Sequence, residues 1–420
     1  MAELQRSLRV WDGVGLAIGS IAGSGMLFLP SLTYAIAGHD VLLSWLGALL
    51  LCVPMLLMFT DMVRSVPDGS GIEGFVARGL GPHLAASVPV LFLALFVIGM
   101  PAGVLVAGDY LSQATTSPVA RLVGALAVLG VALGTNLLGV RTGALVQNVV
   151  TWGLLGIGLA LIGLTLPRAA GHYAVLQPEL GAAGPILGGT AVAFWAFAGF
   201  ENLTFIAGEF ANPRRDFVLA VVLAVAIYGA LAIALTANIA GTIPPAELNQ
   251  LSGVLQLAQT LSPRWLATWA VTVFALALMQ VNATSWLWGM SRLLYAAARA
   301  GRLPSAFGRL DRHDLPRRAI WTLGAVLAAV TCLFASLPGL LVEALVTASS
   351  VFVVLYLLCI VSYVRSERST GRRIGAFALL VFLLSTLGGV GLRALYPLGV
   401  LALSVAAAIV RHRRRLRSSR

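Results

Sequence analysis

Glu201 is the residue best placed to do chemistry, because it ends the apolar run Phe194-Trp195-Ala196-Phe197-Ala198-Gly199-Phe200-Glu201-Asn202. A carboxylate at membrane depth costs about 2.5–3.5 kcal/mol on insertion scales, so it usually faces a cavity and marks an ion or proton path. Burial favours its neutral form, which suits a proton carrier; a structural glutamate bonded to a neighbouring helix is the plainer alternative. The second stretch of interest is Gly19-Ser20-Ile21-Ala22-Gly23-Ser24-Gly25-Met26-Leu27-Phe28-Leu29-Pro30, in the middle of the first apolar run. Lipid offers backbone groups no water, so a glycine-rich, opened segment there must line a cavity or be buried in protein. Two interrupted helices in corresponding halves of a membrane chain point to a binding site. The alternative for Gly19, Gly23 and Gly25 is close helix packing.

Little else in the sequence suggests reactivity. Cys52, Cys332 and Cys359 each sit inside an apolar run, which excludes a disulfide framework and a metal cluster. His39, His83, His172, His313 and His412 fall in loops or the tail, and Asp12, Asp61, Asp109, Glu209 and Glu343 fall near span ends where water is expected. No nucleophile has a base beside it, so no catalytic residue, metal or organic cofactor is expected, and an enzyme is disfavoured.

These residues must be positioned by membrane helices. Of 420 residues, 10% are charged and 59% hydrophobic, and the mean hydropathy is +0.93, which together specify a polytopic membrane protein. With about 20 apolar residues needed per crossing, the chain yields twelve spans, near 12–37, 41–63, 86–112, 119–138, 145–167, 186–209, 216–240, 266–297, 318–337, 341–364, 373–391 and 393–411. The first is too long for a cleavable signal and is read as retained. All 28 basic residues are arginine. With the N-terminus inside, 24 arginines fall in cytoplasmic segments and only Arg121, Arg168, Arg264 and Arg393 outside. The net charge of +12 therefore reads as topology and contact with anionic lipid, not nucleic-acid binding.

Between spans 2 and 3, the turn-rich 66–75 and Gly79-Leu80-Gly81-Pro82 predict a cytoplasmic loop with a short interfacial helix. In the connection 242–265, Leu248, Leu251, Leu255 and Ala258 recur at helical spacing. That spacing suits a short helix acting as a lid, or a loop resting on the surface.

At Ile21-Ala22-Gly23-Ser24-Gly25 and Glu209-Phe210-Ala211-Asn212-Pro213-Arg214-Arg215-Asp216 the chain resembles the amino acid-polyamine-organocation (APC) transporter superfamily. Pro67 to Gly74, Asn136 to Ala144 and Ser291 to Pro304 agree, so the resemblance extends over essentially the whole chain. Gly99-Met100-Pro101-Ala102 and Glu209 to Phe217 look most like the bacterial neutral amino-acid efflux branch. The resemblance implies an all-α, LeuT-type fold of twelve helices: a five-plus-five inverted repeat with helices 1 and 6 broken, and two extra C-terminal helices. It implies one transporter domain over 1–411, with repeats near 10–167 and 186–364, extra helices near 373–411 and a basic tail at 412–420. It also implies a multi-pass inner-membrane protein with both termini cytoplasmic, monomeric or homodimeric, its partners the bilayer and an amino acid.

Broken helices suit a zwitterion, since half-helix starts present N–H groups and half-helix ends present carbonyls. By residue-for-residue match to an arginine/agmatine antiporter of that superfamily, Ser24 and Gly25 would hold the carboxylate, and the carbonyls of Ile21, Trp195 and Ala198 the ammonium. Ala22, Gly23 and Gly199 complete the two breaks. Gly99, Met100, Ala102, Trp195 and Trp286 would wall the side-chain pocket, where no fixed charge awaits a cationic substrate; a neutral, apolar amino acid of methionine or branched-chain type is therefore expected. Glu201 matches superfamily glutamates and is the expected proton-coupling residue, driving export or exchange. Sodium-coupled uptake is the alternative, because Thr284 and Ser285 stand where LeuT-type symporters face hydroxyls toward broken helix 1, with Ile21 and Ser24 opposite; the hydroxyls could equally bond back to their own helix. A channel is disfavoured, since one occluded site is implied and not a polar file.

Overall fold

The computed structural model describes residues 8–23, 25–65, 71–176, 179, 183–250, 252–337, 339–367 and 369–418. Ser24, Arg6, Arg368, Leu251, the loop 66–70 and residues 419–420 lie outside the described residues, as do the side chains of Arg64, Arg141 and the tail from His412. The first half of the chain forms α1 Val10–Ile21, α2 Gly25–Ala37, α3 Val41–Ser65, α4 Gly71–Leu80, α5 Pro82–Ala85, α6 Val88–Thr115, α7 Pro118–Leu137 and α8 Val140–Ala169. The second half forms α9 Ala183–Trp195, α10 Val218–Thr242, α11 Gly253–Gln259, α12 Arg264–Arg299, α13 Arg317–Ser336, α14 Leu340–Ser366, α15 Thr370–Val390 and α16 Leu395–Ser418. Among the described residues, ten helical stretches are long and apolar enough to cross a membrane, and the first, Gly25–Met62, runs through α2 and α3. Leu50, Leu159 and Leu403 are 71%, 62% and 74% exposed, as lipid-facing leucines must be when hydrocarbon is the solvent.

Both predicted interruptions are present. Between α1 and α2 the backbone leaves the helix at Ala22, with ψ 80°, and Gly23 N–H donates to Ile21 O at 2.9 Å. After α9 the chain tightens through successive turns, Ala196 to Ala193, Phe197 to Phe194 and Ala198 to Trp195. It then reverses at Gly199, with φ +128°, a conformation only glycine adopts without strain. From there it runs as a 3₁₀ helix over Phe200–Glu209. Ten residues is long for that geometry, whose runs beyond three or four are uncommon and often mark a hinge.

Amides fasten the interior. The long helix α12 crosses the middle of the bundle, and three neighbours donate side-chain N–H groups to its carbonyls: Asn136 of α7 to Thr284 O at 3.1 Å, Gln147 of α8 to Val281 O at 2.8 Å, and Asn202 of the 3₁₀ segment to Ser285 O at 2.9 Å. Buried polar groups need such partners.

The expected helix in the 242–265 connection is α11, whose Val254, Leu255, Leu257 and Ala258 are buried. It seats so closely on α2 that a Cβ at Gly253 would lie 2.0 Å from Ser31 Oγ. One expectation fails: Glu209 is not at a watered span end. It is 0% exposed and paired with Arg292, itself buried, at 2.8 Å. The guanidinium also lies 5.5 Å from the Trp288 ring centroid. The pair buries two opposite charges together, while Glu209 Oε2 and Arg292 Nη2 face no hydrogen-bond partner among the described residues. There Leu8 is clipped to the end of the 3₁₀ segment, its N–H donating to Glu209 O at 3.0 Å and its carbonyl accepting from Ala211 N–H at 2.8 Å.

Candidate functional site

The two breaks meet. Ser20 Oγ, at the end of α1, donates to Gly199 O at 2.6 Å, and a Cβ on Gly199 would stand 2.4 Å from Ser20 O. Contact between the opened backbones therefore requires glycine at that position. Ile21, Ala22, Gly23 and Gly25 lie at the first break, and Trp195, Ala198 and Gly199 at the second. Ser24, expected beside them, is outside the described residues.

Glu201 is placed at the heart of this contact and is 0% exposed. Its Oε2 accepts the Gly199 N–H at 2.9 Å and the Tyr356 hydroxyl of α14, also at 2.9 Å. Its Oε1 faces no donor among the described residues. The carboxyl thus holds the very turn that opens the second helix and ties it to α14.

An aromatic wall covers the breaks. Trp286 of α12 donates Nε1–H to Ser20 O at 3.0 Å, stacks on Phe96 of α6 with centroids 6.3 Å apart, and meets Phe352 of α14 edge-on at 5.8 Å. Phe352 in turn lies 6.1 Å from Trp195 and 5.9 Å from Tyr356. Met100 lies one turn beyond Phe96 on α6 and is buried, as is Ala102. The missing side chain of Gly99 would face Ala348 of α14 at 3.2 Å. Apart from Glu201, these wall residues carry no carboxylate, and none carries a basic group.

Thr284 and Ser285 use their hydroxyls within the protein. Thr284 Oγ1 donates to Gln280 O at 2.8 Å and accepts from Gln280 Nε2 at 2.9 Å. Ser285 Oγ crosses to α1 and donates to Leu16 O at 2.8 Å. No group of three or more His, Cys, Asp or Glu able to hold a metal occurs among the described residues.

Phe96, Phe352, Tyr356, Asn202 and Asn282 were not singled out from the sequence as site residues. For the asparagines a signal existed, since amides inside apolar runs need partners; the aromatics look like ordinary core.

The family model for amino acid permeases matches residues 8–403. The chain belongs to the amino acid permease family of the APC superfamily. Among its relatives, the L-methionine/branched-chain amino acid exporter YjeH of Escherichia coli K12 is 25% identical over 96% of either chain. The amino acid permease YecA of Bacillus subtilis is 27% identical over 79% of this chain and 78% of its own. The cadaverine/lysine antiporter of Escherichia coli K12 is 24% identical over 75% and 71%. The crystal structure of MhsT in complex with L-phenylalanine matches with a TM-score of 0.65 at 17% identity, covering 94% of this chain and 100% of that one. The fold is therefore LeuT-type, and the permease is a transporter, not an enzyme.

Proposed function

We propose that this permease is a secondary transporter that moves neutral apolar amino acids by alternating access, exporting or exchanging them against protons. The single observation that carries this reading is the Glu201 carboxylate bonded to the Gly199 N–H at the second helix break. When ionised, Glu201 accepts two charge-assisted hydrogen bonds; when protonated, both weaken. The turn that Gly199 presses against α1 loosens with them, so proton uptake and rearrangement of the site are linked. On this reading Gly25 and Ser24 bind the substrate carboxylate, the carbonyls of Ile21, Trp195 and Ala198 the ammonium, and Met100, Trp195, Trp286 and Phe352 the side chain. The apolar aromatic wall and the likeness to YjeH support a methionine or branched-chain substrate. Sodium-coupled uptake has less support, because the hydroxyls of Thr284 and Ser285 already donate to protein carbonyls.

The proposed topology has twelve spans, with α1 and α2 forming the first, a five-plus-five inverted repeat, both termini in the cytoplasm and an inner-membrane location, as a monomer or homodimer. A counterflow screen of the twenty amino acids in proteoliposomes, at two pH values, tests the function. Trans-stimulated uptake of leucine, isoleucine, valine or methionine is expected. Flux without trans-stimulation would identify a channel and refute the reading.

A further inference from the structure

A cavity of about 140 Å³ lies between α8, α10, α11 and α12, and it shares no residue with the aromatic wall. Its lining carries no polar side chain. A dry apolar cavity of about 150 Å³ takes up benzene, so this one has room for a short stretch of hydrocarbon chain. The mouth is on the lipid-facing surface: Ile157 and Leu164 of α8 are 42% and 63% exposed, and Ala160 of α8 and Ala270 of α12 are exposed as well. The inner end is buried and reaches Met26, the residue after Gly25 at the start of α2. The lining extends from Ile157 to Leu164 on α8 and from Ala267 to Phe274 on α12, a slot about 10 Å long.

One arginine per helix stands at the outer end of that slot. Arg168 lies one turn beyond Leu164 and Arg264 one turn before Ala267, each on the lining face of its helix, and both are exposed. The other two arginines that the proposed topology puts outside are spent, Arg121 on Asp109 at 2.8 Å and Arg393 on Glu343 at 2.7 Å. Arg168 and Arg264 meet no carboxylate among the described residues; Arg264 donates to the neutral Gln259 amide at 3.2 Å. An apolar slot directly beneath two unneutralised arginines matches a phospholipid, with its phosphate above and hydrocarbon below. An amino acid fits it poorly, because its ammonium and carboxylate would find no polar partner there.

We propose that the slot binds one anionic phospholipid of the outer leaflet: an acyl chain enters between α8 and α12 and ends against Met26, and the phosphate sits on Arg168 and Arg264. The chain thereby packs on the half-helix that carries Gly25. The test is photolabelling of the purified permease in detergent by phosphatidylglycerol or phosphatidylcholine bearing a diazirine midway along one acyl chain, with adducts mapped by peptide mass spectrometry. Binding is read without transport, so the result stands whether or not the permease moves leucine. Phosphatidylglycerol is expected to label 157–164 and 267–274. Two arginines, each contributing about fivefold, make the expected excess over phosphatidylcholine at least about tenfold. Arg168→Gln/Arg264→Gln lowers phosphatidylglycerol labelling to the phosphatidylcholine level. Ala270→Phe fills the mouth with both arginines intact and removes the label of either lipid from the slot; Ala160→Phe serves if that variant is not recovered folded. Equal labelling by the two lipids, adducts only on other helices, or variants labelled like the wild type overturn the proposal. So does a label that leucine displaces and the arginine variants leave unchanged, which would make the slot a substrate pocket.

Discussion

Gly199 and Glu201 form one unit two residues long. The glycine supplies a backbone conformation that brings its peptide onto Ser20, and the glutamate holds that peptide by its N–H. Gly199→Ala introduces strain of order 1–3 kcal/mol on top of a clash with Ser20 O. It is expected to lower leucine counterflow by about tenfold or more, with the protein still recovered from the membrane and eluting as a single species. Glu201→Gln keeps an acceptor for Gly199 but can no longer exchange a proton. Leucine binding, measured by calorimetry, should persist, and counterflow should become flat across pH 5 to 8, where Glu ionisation can be tuned by its surroundings. An unchanged pH profile would remove Glu201 from coupling. Of these two residues, both were legible in the sequence, one as a glycine beside aromatics and one as a charge at depth. Their partner Tyr356 was not, because it lies 155 residues away in a helix whose tyrosines look like core.

At the scale of elements, the broken helices are fastened to their neighbours as well as from within. The glycines of 19–25 announced the first break, since no continuous helix would choose so many. The donors that close the opened carbonyls could not be read the same way: Asn282 is 263 residues from Gly19, and only the fold brings them together. The Glu209–Arg292 pair shows the same limit. In sequence each looks like a charge at the mouth of a span; in the fold both are buried and paired, Glu209 at the residue that Leu8 clips. Breaking a buried pair by removing one partner costs about 3–5 kcal/mol. Arg292→Ala should therefore lower the melting temperature in detergent more than the double variant Glu209→Ala/Arg292→Ala, which leaves no buried charge unpaired. A double variant less stable than either single one would contradict this account.

For the whole molecule, the proposed topology assigns each loop to one side of the membrane. In a background without Cys52, Cys332 and Cys359, a cysteine at Ala246 should react with a membrane-impermeant maleimide added to intact cells, and one at Ser305 only after permeabilisation; both positions are exposed. Helix boundaries were legible to within a few residues because lipid demands long apolar runs. The pairing of spans was not, because hydrophobicity alone does not say which helices touch. The central claim is that two helices open in mid-membrane and turn their freed peptide groups on a zwitterion. An experimental structure determined with L-leucine tests it most directly. The account predicts the ligand's carboxylate at the Gly25 N–H, its ammonium at the carbonyls of Ile21, Trp195 and Ala198, and its side chain against Trp286 and Phe352. Leucine bound away from both breaks, or α1 and α2 joined as one unbroken helix, would contradict it.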